Sequence, residues 1–239
     1  PSILKTRRLG YDGKGQFRLK APTDVDAAWD ALAGAPSILE AFVPFERELS
    51  VIAVRSREGE FRTYPLTQNW HADGILSASL APAPGCEVLA PVAFAHARRI
   101  AEELDYVGVF ALELFVKDGG LMGNEMAPRV HNSGHWTIEG SATSQFENHL
   151  RAVLGWPTGS TLMREGLPHA AMLNLLRAPL PHPADGGEPP VWMHTHLYAK
   201  GHRDPAQERK VGHVTIVSPS ASALGARLDH ARKSLGLND

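Results

Sequence analysis

Two glutamates, Glu113 and Glu125, bracket the stretch "ELFVKDGGLMGNE", which holds the most chemistry in the sequence. Alternation along a strand puts Val109, Ala111, Glu113 and Phe115 on one face, so a carboxylate stands in an otherwise apolar row. A three-residue loop at Asp118, Gly119 and Gly120 pairs Lys117 with Leu121 and sets Glu113 opposite Glu125. Cross-strand Cβ atoms lie about 5 Å apart, and two ionised carboxylates at that distance repel by roughly 3 kcal/mol at an effective dielectric near 20. Either one carboxylate keeps a proton, or a hard divalent cation such as Mg²⁺ sits between them with Asn124 as a further oxygen ligand. A two-residue loop is the alternative. It turns Glu125 to the other face and leaves Glu113 across from Asn124.

Immediately downstream, "APRVHNSGHW" (127–136) is rich in anion-contacting side chains. Arg129 offers a bidentate fork, and His131, Asn132 and Ser133 offer donors and acceptors. Trp136 reads as packing. Near the start of the chain, "GYDGKGQ" (10–16) has the wrong spacing for a P-loop or a dinucleotide fingerprint. Its flanks "ILKTRR" and "QFRLK" read as strands, which makes it the tip of an antiparallel hairpin. Gly10, Gly13 and Gly15 let backbone N–H groups approach a ligand, and Lys5, Arg7, Arg8 and Lys14 add positive charge, which suits a triphosphate. A solvated basic hairpin is the competing reading. The sequence holds twelve histidines; His194 and His196 share one strand face, but no third ligand for zinc is visible near them.

Helices and strands must position these groups. "TDVDAAWDALAG" is expected to be a helix capped by Thr23, with Val25, Ala28, Trp29 and Leu32 inward and Gly34 as its stop. "SILEAF", "RELSVIAVRS" and "EFRTYPL" read as strands, the last two joined across Glu58-Gly59. "PVAFAHARRIAEEL" spaces Phe94, Ala97, Ile100, Ala101 and Leu104 as a helix face, and "SQFENHLRAVLG" does so with Phe146, Leu150, Val153 and Leu154. The stretch 178–190 reads as a linker, followed by strands in "VWMHTHLYA" and "KVGHVTIVS" that form a small closing unit. With 239 residues, 43% of them hydrophobic, the chain can bury a sizeable core. A formal net charge of -2 gives no electrostatic case for nucleic acid or a membrane surface. The single Cys86 excludes an intrachain disulfide and reads as a passive thiol in a reducing cytosol. Because the sequence opens at Pro1 in the lead-in to a strand, it is expected to be a piece of a longer chain.

Taken together, "LKTRRLGYDGKGQ", the Asn124-Glu125 pair, "NEMAPRVHNSGHWT", "YPLTQNWHADGIL" and "RKVGHVTIV" resemble the N5-carboxyaminoimidazole ribonucleotide synthetase family of ATP-grasp ligases. The resemblance spans essentially the whole chain. It implies an α+β ATP-grasp fold with a small, mostly β carboxy-terminal domain. The small lid subdomain would cover 1–66, the large subdomain with the metal and bicarbonate site 67–177, and the linker and carboxy-terminal domain 178–239. The family's further amino-terminal domain has no counterpart in the sequence.

The implied reaction is ATP-dependent carboxylation of 5-aminoimidazole ribonucleotide with bicarbonate, by a cytoplasmic enzyme that is a homodimer at full length and needs no nucleic acid or membrane partner. By resemblance, Gly10, Tyr11, Asp12, Gly13, Lys14, Gly15 and Gln16 fold over the ATP phosphates, which Lys5 contacts. Glu40, Ala41, Phe42 and Val43 line the adenine, Glu48 binds ribose and His71 contacts the nucleotide. Glu113 and Glu125 hold Mg²⁺, with Asn124 beside them. Tyr11, Asp12 and Lys14 position bicarbonate and the reactive intermediate together with Arg129, His131 and Asn132, while Lys200, Arg209 and Lys210 hold the ribonucleotide phosphate. Two other readings stay open: a different ATP-grasp purine ligase, such as formate-dependent glycinamide ribonucleotide transformylase, or a nucleotide-binding fragment without turnover.

Overall fold

Two antiparallel sheets of unequal size carry the chain, in a computed structural model that describes residues 1–8, 10, 14–72, 74–176, 189–198 and 210–237. The smaller sheet has three strands, β1 (Ser2–Thr6), β2 (Gln16–Leu19) and β3 (Ser37–Ala41), in the order β2-β1-β3. Helix α1 (Val25–Ala31) packs beside β2. It buries Ala28 and Leu32 only; Val25 and Trp29 stay exposed, contrary to the face expected from their spacing. Trp29 lies instead against Gly34, whose positive φ of 64° ends the helix as expected. The cap also differs. Asp24, not Thr23, accepts the backbone N–H groups of Lys20 and Ala21, because a single turn of 3-10 helix at Pro22–Asp24 precedes α1.

The larger sheet contains β4 (Arg47–Arg55), β5 (Phe61–Thr63), β6 (Thr67–Ala72), β7 (Ile75–Ala81), β8 (Gly108–Lys117), β9 (Gly120–Ala127), β10 (His169–Leu175), β11 (Met193–Leu197) and β12 (Gly212–Ser218). Its order is β11-β12-β10-β7-β6-β4-β8-β9, with β5 paired to β4. Strands β4 and β5, grouped with the lid at the sequence level, therefore belong to this sheet. The reason is the run Leu49–Val54, which is buried along its whole length and needs cover on both faces. Strands β11 and β12 continue the sheet beyond β10, so the carboxy-terminal strands are joined to the large sheet by backbone hydrogen bonds. The expected linker lies almost wholly outside the described residues.

Helix α2 (Leu89–Glu103) covers one face of the sheet. Ala93, Ala97 and Ala101 lie against Leu49, Val51, Phe110, Leu112 and Val116, and small side chains let helix and sheet approach closely. Leu104, expected inward, is exposed. The other face holds Ile52, Val54, Val109 and Ala111 beneath Trp136 and helix α4 (Gln145–Leu154), which follows the short helix α3 (Thr137–Gly140). Ser144 caps α4 and Gly155, at φ 73°, stops it. Its buried side carries Gln145, Asn148 and Ala152, whereas Phe146, Leu150 and Leu154 face solvent. That reverses the expected face. Asn148 meets the Tyr64 hydroxyl at 2.8 Å and accepts the Gly159 N–H at 2.7 Å, so polar partners hold this helix down. After β12, helix α5 (Ala221–Ser234) packs on β12 and β10.

Candidate active site

The carboxylate pair forms, by a different route from the one expected. The β8–β9 turn has two residues, Asp118 and Gly119, at φ 50° and 71°, so Lys117 faces Gly120 and not Leu121. Positive φ at both positions gives the primed hairpin turn that Asp-Gly favours. A bulge on β9 then absorbs one residue between Gly123 and Glu125 and brings Glu113 opposite Glu125. The extra residue is Asn124.

Glu113 has 14% of its side chain exposed and accepts from His131 Nε2 at 2.9 Å. Burial alone would push its carboxyl up; the His131 hydrogen bond and the charges of His131, His71 and Arg129 outweigh this and hold it below the usual range. Glu125 moves the other way. Desolvation and the charge on Glu113 raise its carboxyl, and Lys5, His131 and Arg129 offset this only in part. An incompletely compensated pair of hard oxygen donors fits Mg²⁺, which takes one or two carboxylates and draws its remaining ligands from phosphates and water. Among the described residues no group of three or more His, Cys, Asp or Glu is arranged to hold a metal ion by itself.

The segment after β9 is fixed from below by Gln145 of α4. Its side-chain amide donates to the His131 carbonyl at 2.7 Å, and its oxygen accepts the His131 N–H at 2.9 Å. A Cβ at Gly134 would come within 2.6 Å of that oxygen, so only glycine fits there. His131 Nδ1 lies 2.8 Å from the Ser133 hydroxyl. Both amide atoms of Asn132 are buried without a partner, a cost that a bound ligand would relieve. Arg129 lies exposed, with Nη1 donating to the Val130 carbonyl.

On the nucleotide side, Lys5 links the two sheets. Its ammonium lies 2.8 Å from Glu40 Oε2 and donates to Asn124 Oδ1 at 3.0 Å. The residue extruded by the bulge thus meets the expected phosphate-binding lysine. Glu48 pairs with His71 Nδ1. Burial works against the charged form of His71, but the Glu48 hydrogen bond and the charges of Glu48 and Glu113 raise its pKa overall. Ala41 ends β3; Phe42 carries Arg18 over its ring at 4.0 Å, and Val43 accepts the Phe45 N–H at 3.0 Å. Phe45 stacks on Phe115 with ring centroids 4.4 Å apart.

Lys5 pairs with Gln16 across β1 and β2, and Gly15, at φ 76°, returns its carbonyl to the Thr6 N–H. Gly10 packs against the backbone at Lys14, and Lys14 is exposed. Lys210 stands just ahead of β12, and its charge disfavours the protonated forms of His71 and His135, which puts it on the site's side of the sheet. Tyr11, Asp12, Gly13, Lys200 and Arg209 lie outside the described residues.

Two groupings were missed by sequence reading. One is a buried polar row on neighbouring strands, Ser79, Asn69 and Ser50, that leads to Ser133. Its only sequence signal is polar residues at inward positions of apolar strands. The other is an imidazole cluster. His196 stacks on His213 at 4.6 Å, His213 tilts against His135 at 4.8 Å, and His196 Nε2 meets Glu139 at 2.7 Å. Burial lowers His135 to about 3 and His213 to about 4. The "HTH" pattern showed one of these rings, but the others come from distant segments.

Residues 1–146 match the ATP-grasp domain family, and residues 170–227 match the phosphoribosylaminoimidazole carboxylase C-terminal domain. A two-sheet clamp of this kind, matched over more than half the chain, means that the chain belongs to the ATP-grasp family. It is similar to the N5-carboxyaminoimidazole ribonucleotide synthase of Pseudomonas aeruginosa, 48% identical over 235 residues that cover 95% of this chain and 61% of the relative. The crystal structure of the N5-carboxyaminoimidazole ribonucleotide synthetase from Thermus thermophilus superposes with a TM-score of 0.83 at 47% identity, covering 100% of this chain and 62% of that one. The Aspergillus clavatus synthase in complex with ADP and 5-aminoimidazole ribonucleotide gives 0.85 at 32% identity, covering 99% and 62%. The chain thus spans about three fifths of the length of the relatives it matches.

Proposed function

We propose that this chain is the nucleotide-binding and carboxylating part of an enzyme that joins bicarbonate to the exocyclic amine of 5-aminoimidazole ribonucleotide at the expense of ATP, in purine synthesis. The observation that carries the reading is the Glu113–Glu125 pair beside the unpartnered amide of Asn132, on a chain similar throughout to synthases of that name. In this reading Lys5, Lys14 and the glycines at 10, 13 and 15 hold the triphosphate. Residues Glu40 to Val43 line the adenine, and Glu48 with His71 holds the ribose side. Glu113 and Glu125 hold Mg²⁺, which when bound offsets charge on the transferring phosphoryl group.

A bicarbonate oxygen attacks the γ-phosphorus and ADP leaves, giving carboxyphosphate. Its C–O bond to phosphate breaks, releasing CO₂ and phosphate. The amine nitrogen then attacks the CO₂ carbon and loses a proton, giving the carbamate. Arg129 and Asn132 orient bicarbonate through charge-assisted and amide hydrogen bonds, with His131 beside them. Tyr11, Asp12 and Lys14 close over the intermediate and exclude water, which would otherwise hydrolyse it. Lys200, Arg209 and Lys210 take the ribonucleotide phosphate, and the whole enzyme works as a cytoplasmic homodimer. The test is ADP release by the protein at the length of its relatives. It should require both bicarbonate and 5-aminoimidazole ribonucleotide; full-rate release without either would exclude this function.

A further inference from the structure

Gln145, the first residue of α4, is fully buried, and both polar atoms of its side chain are engaged with the turn that carries His131 and Asn132. The backbone decides which way its amide points. The His131 N–H can only donate and meets Oε1 at 2.9 Å, while the His131 carbonyl can only accept and meets Nε2 at 2.7 Å. With Nε2 fixed in this way, its second proton goes to His135 Nδ1, 3.1 Å away. Burial holds His135 neutral, at about 3, as an acceptor requires. The main chain of Gln145 adds a further hold: its N–H donates to Thr137 Oγ1 at 3.0 Å, and that hydroxyl donates to the Gly134 carbonyl at 2.7 Å. Gln145 therefore grips the backbone on either side of Asn132, at His131 and, through Thr137, at Gly134. The turn's own bonds, Gly134 to His131 at 3.0 Å and His135 to Asn132 at 3.1 Å, only close it on itself.

The clamp holds in place an arrangement that costs free energy. Both amide atoms of Asn132 are buried without a protein partner, and a turn free to move would swing them out to water. A polar group kept dry and unpaired is preorganised for a ligand that brings both a donor and an acceptor. Bicarbonate, with one hydroxyl beside ionised oxygens, brings both. We propose that Gln145 is a positioning residue: from beneath the turn it sets where Asn132 stands, and through Asn132 it sets the hold on bicarbonate. The bicarbonate part rests on the carboxylase reading; the clamp does not.

Hydrogen exchange followed by NMR on the wild-type chain reads the clamp directly. The His131 backbone amide and the Gln145 side-chain amide should exchange far more slowly than the amides of exposed turns, and exchange as fast as theirs would overturn the proposal. The functional part is read by steady-state kinetics on the protein at the length of its relatives. Gln145→Met keeps the length of the side chain and removes both hydrogen-bonding atoms. Its KM for bicarbonate should rise about tenfold or more, since misplacing a group by about 1 Å is enough for a loss of that order, while its KM for ATP stays where it is. Gln145→Glu, which while ionised cannot donate to the His131 carbonyl, should shift the same constant in the same direction. An unchanged bicarbonate KM in a folded variant, or one that rises only together with the KM for ATP, would contradict the proposal. Should neither variant fold, as judged by circular dichroism, the wild-type exchange decides alone. A wild type whose His131 amide is protected but whose ADP release does not respond to bicarbonate would count against the carboxylase reading and leave the clamp standing.

Discussion

At the scale of single residues, a carboxylate set opposite another carboxylate costs the free protein stability, and that cost can be measured. The folded-state pKa of Glu125 is raised, so the native state binds its proton more tightly than the unfolded chain does. Its contribution to stability is present below the unfolded pKa and is lost as pH rises through the raised value. Glu113 has the opposite sign: its lowered pKa contributes stability above the unfolded value, lost as pH falls through the folded one. Removing the charge with Glu125→Gln should therefore stabilise the metal-free chain near pH 7. Solvent at the exposed Glu125 screens the full repulsion down to about 1 kcal/mol, or roughly 2–4 °C in Tm. The gain should vanish near pH 4, where Glu125 is protonated; a pH series of thermal melts showing no gain at neutral pH would refute the uncompensated pair. In magnesium–ATP calorimetry the ranking should invert, with the variant binding about tenfold more weakly or worse. The pairing was expected from a three-residue loop that does not form; with the two-residue turn, strand alternation alone sets Glu113 across from Asn124. The bulge that restores the pairing was not legible, because Gly123 and Asn124 carry no pattern that marks an extra residue.

At the scale of elements, local signals in the sequence were reliable where backbone chemistry decides and unreliable where tertiary partners do. Gly34 and Gly155 stop their helices as expected because a positive φ favours glycine. The exposed face of α4 was misjudged because Gln145 and Asn148 have buried partners more than ten residues away, which outweigh the apolar stripe of Phe146, Leu150 and Leu154. The opening hairpin depends on Gly15, whose φ is 76° and where an added Cβ would come within 2.6 Å of the Thr6 hydroxyl. Gly15→Ala should cost about 1–3 kcal/mol through backbone strain. Chemical denaturation would show it, and an unchanged midpoint would mean that the hairpin is not held as described.

At the scale of the whole molecule, the two sheets meet through Lys5, which bonds Glu40 beside it and Asn124 on the other sheet. Sequence reading assigned Lys5 to phosphate and did not foresee this bridge, because the bulge that presents Asn124 was invisible. Loss of a charge-assisted bond of this kind is worth about 1.5–3 kcal/mol, so Lys5→Ala should weaken ADP binding at least about tenfold, with or without magnesium. Calorimetry with and without a chelator checks this; equal affinities for wild type and variant would remove Lys5 from the site. The continuous large sheet was also hidden from sequence reading, since the stretch 178–190, which looked like a domain linker, parts β10 from β11 along the chain.

The proposed carboxylation runs through carboxyphosphate, and one isotope experiment tests that route. With ¹⁸O-labelled bicarbonate, magnesium–ATP and 5-aminoimidazole ribonucleotide, the protein at the length of its relatives should transfer one bicarbonate oxygen to each inorganic phosphate released. Attack of bicarbonate on the γ-phosphorus leaves that oxygen on phosphate when the C–O bond breaks. Phosphate released without label, while carboxylated product accumulates, would contradict the carboxyphosphate route and the assignment of Arg129, His131 and Asn132 to bicarbonate.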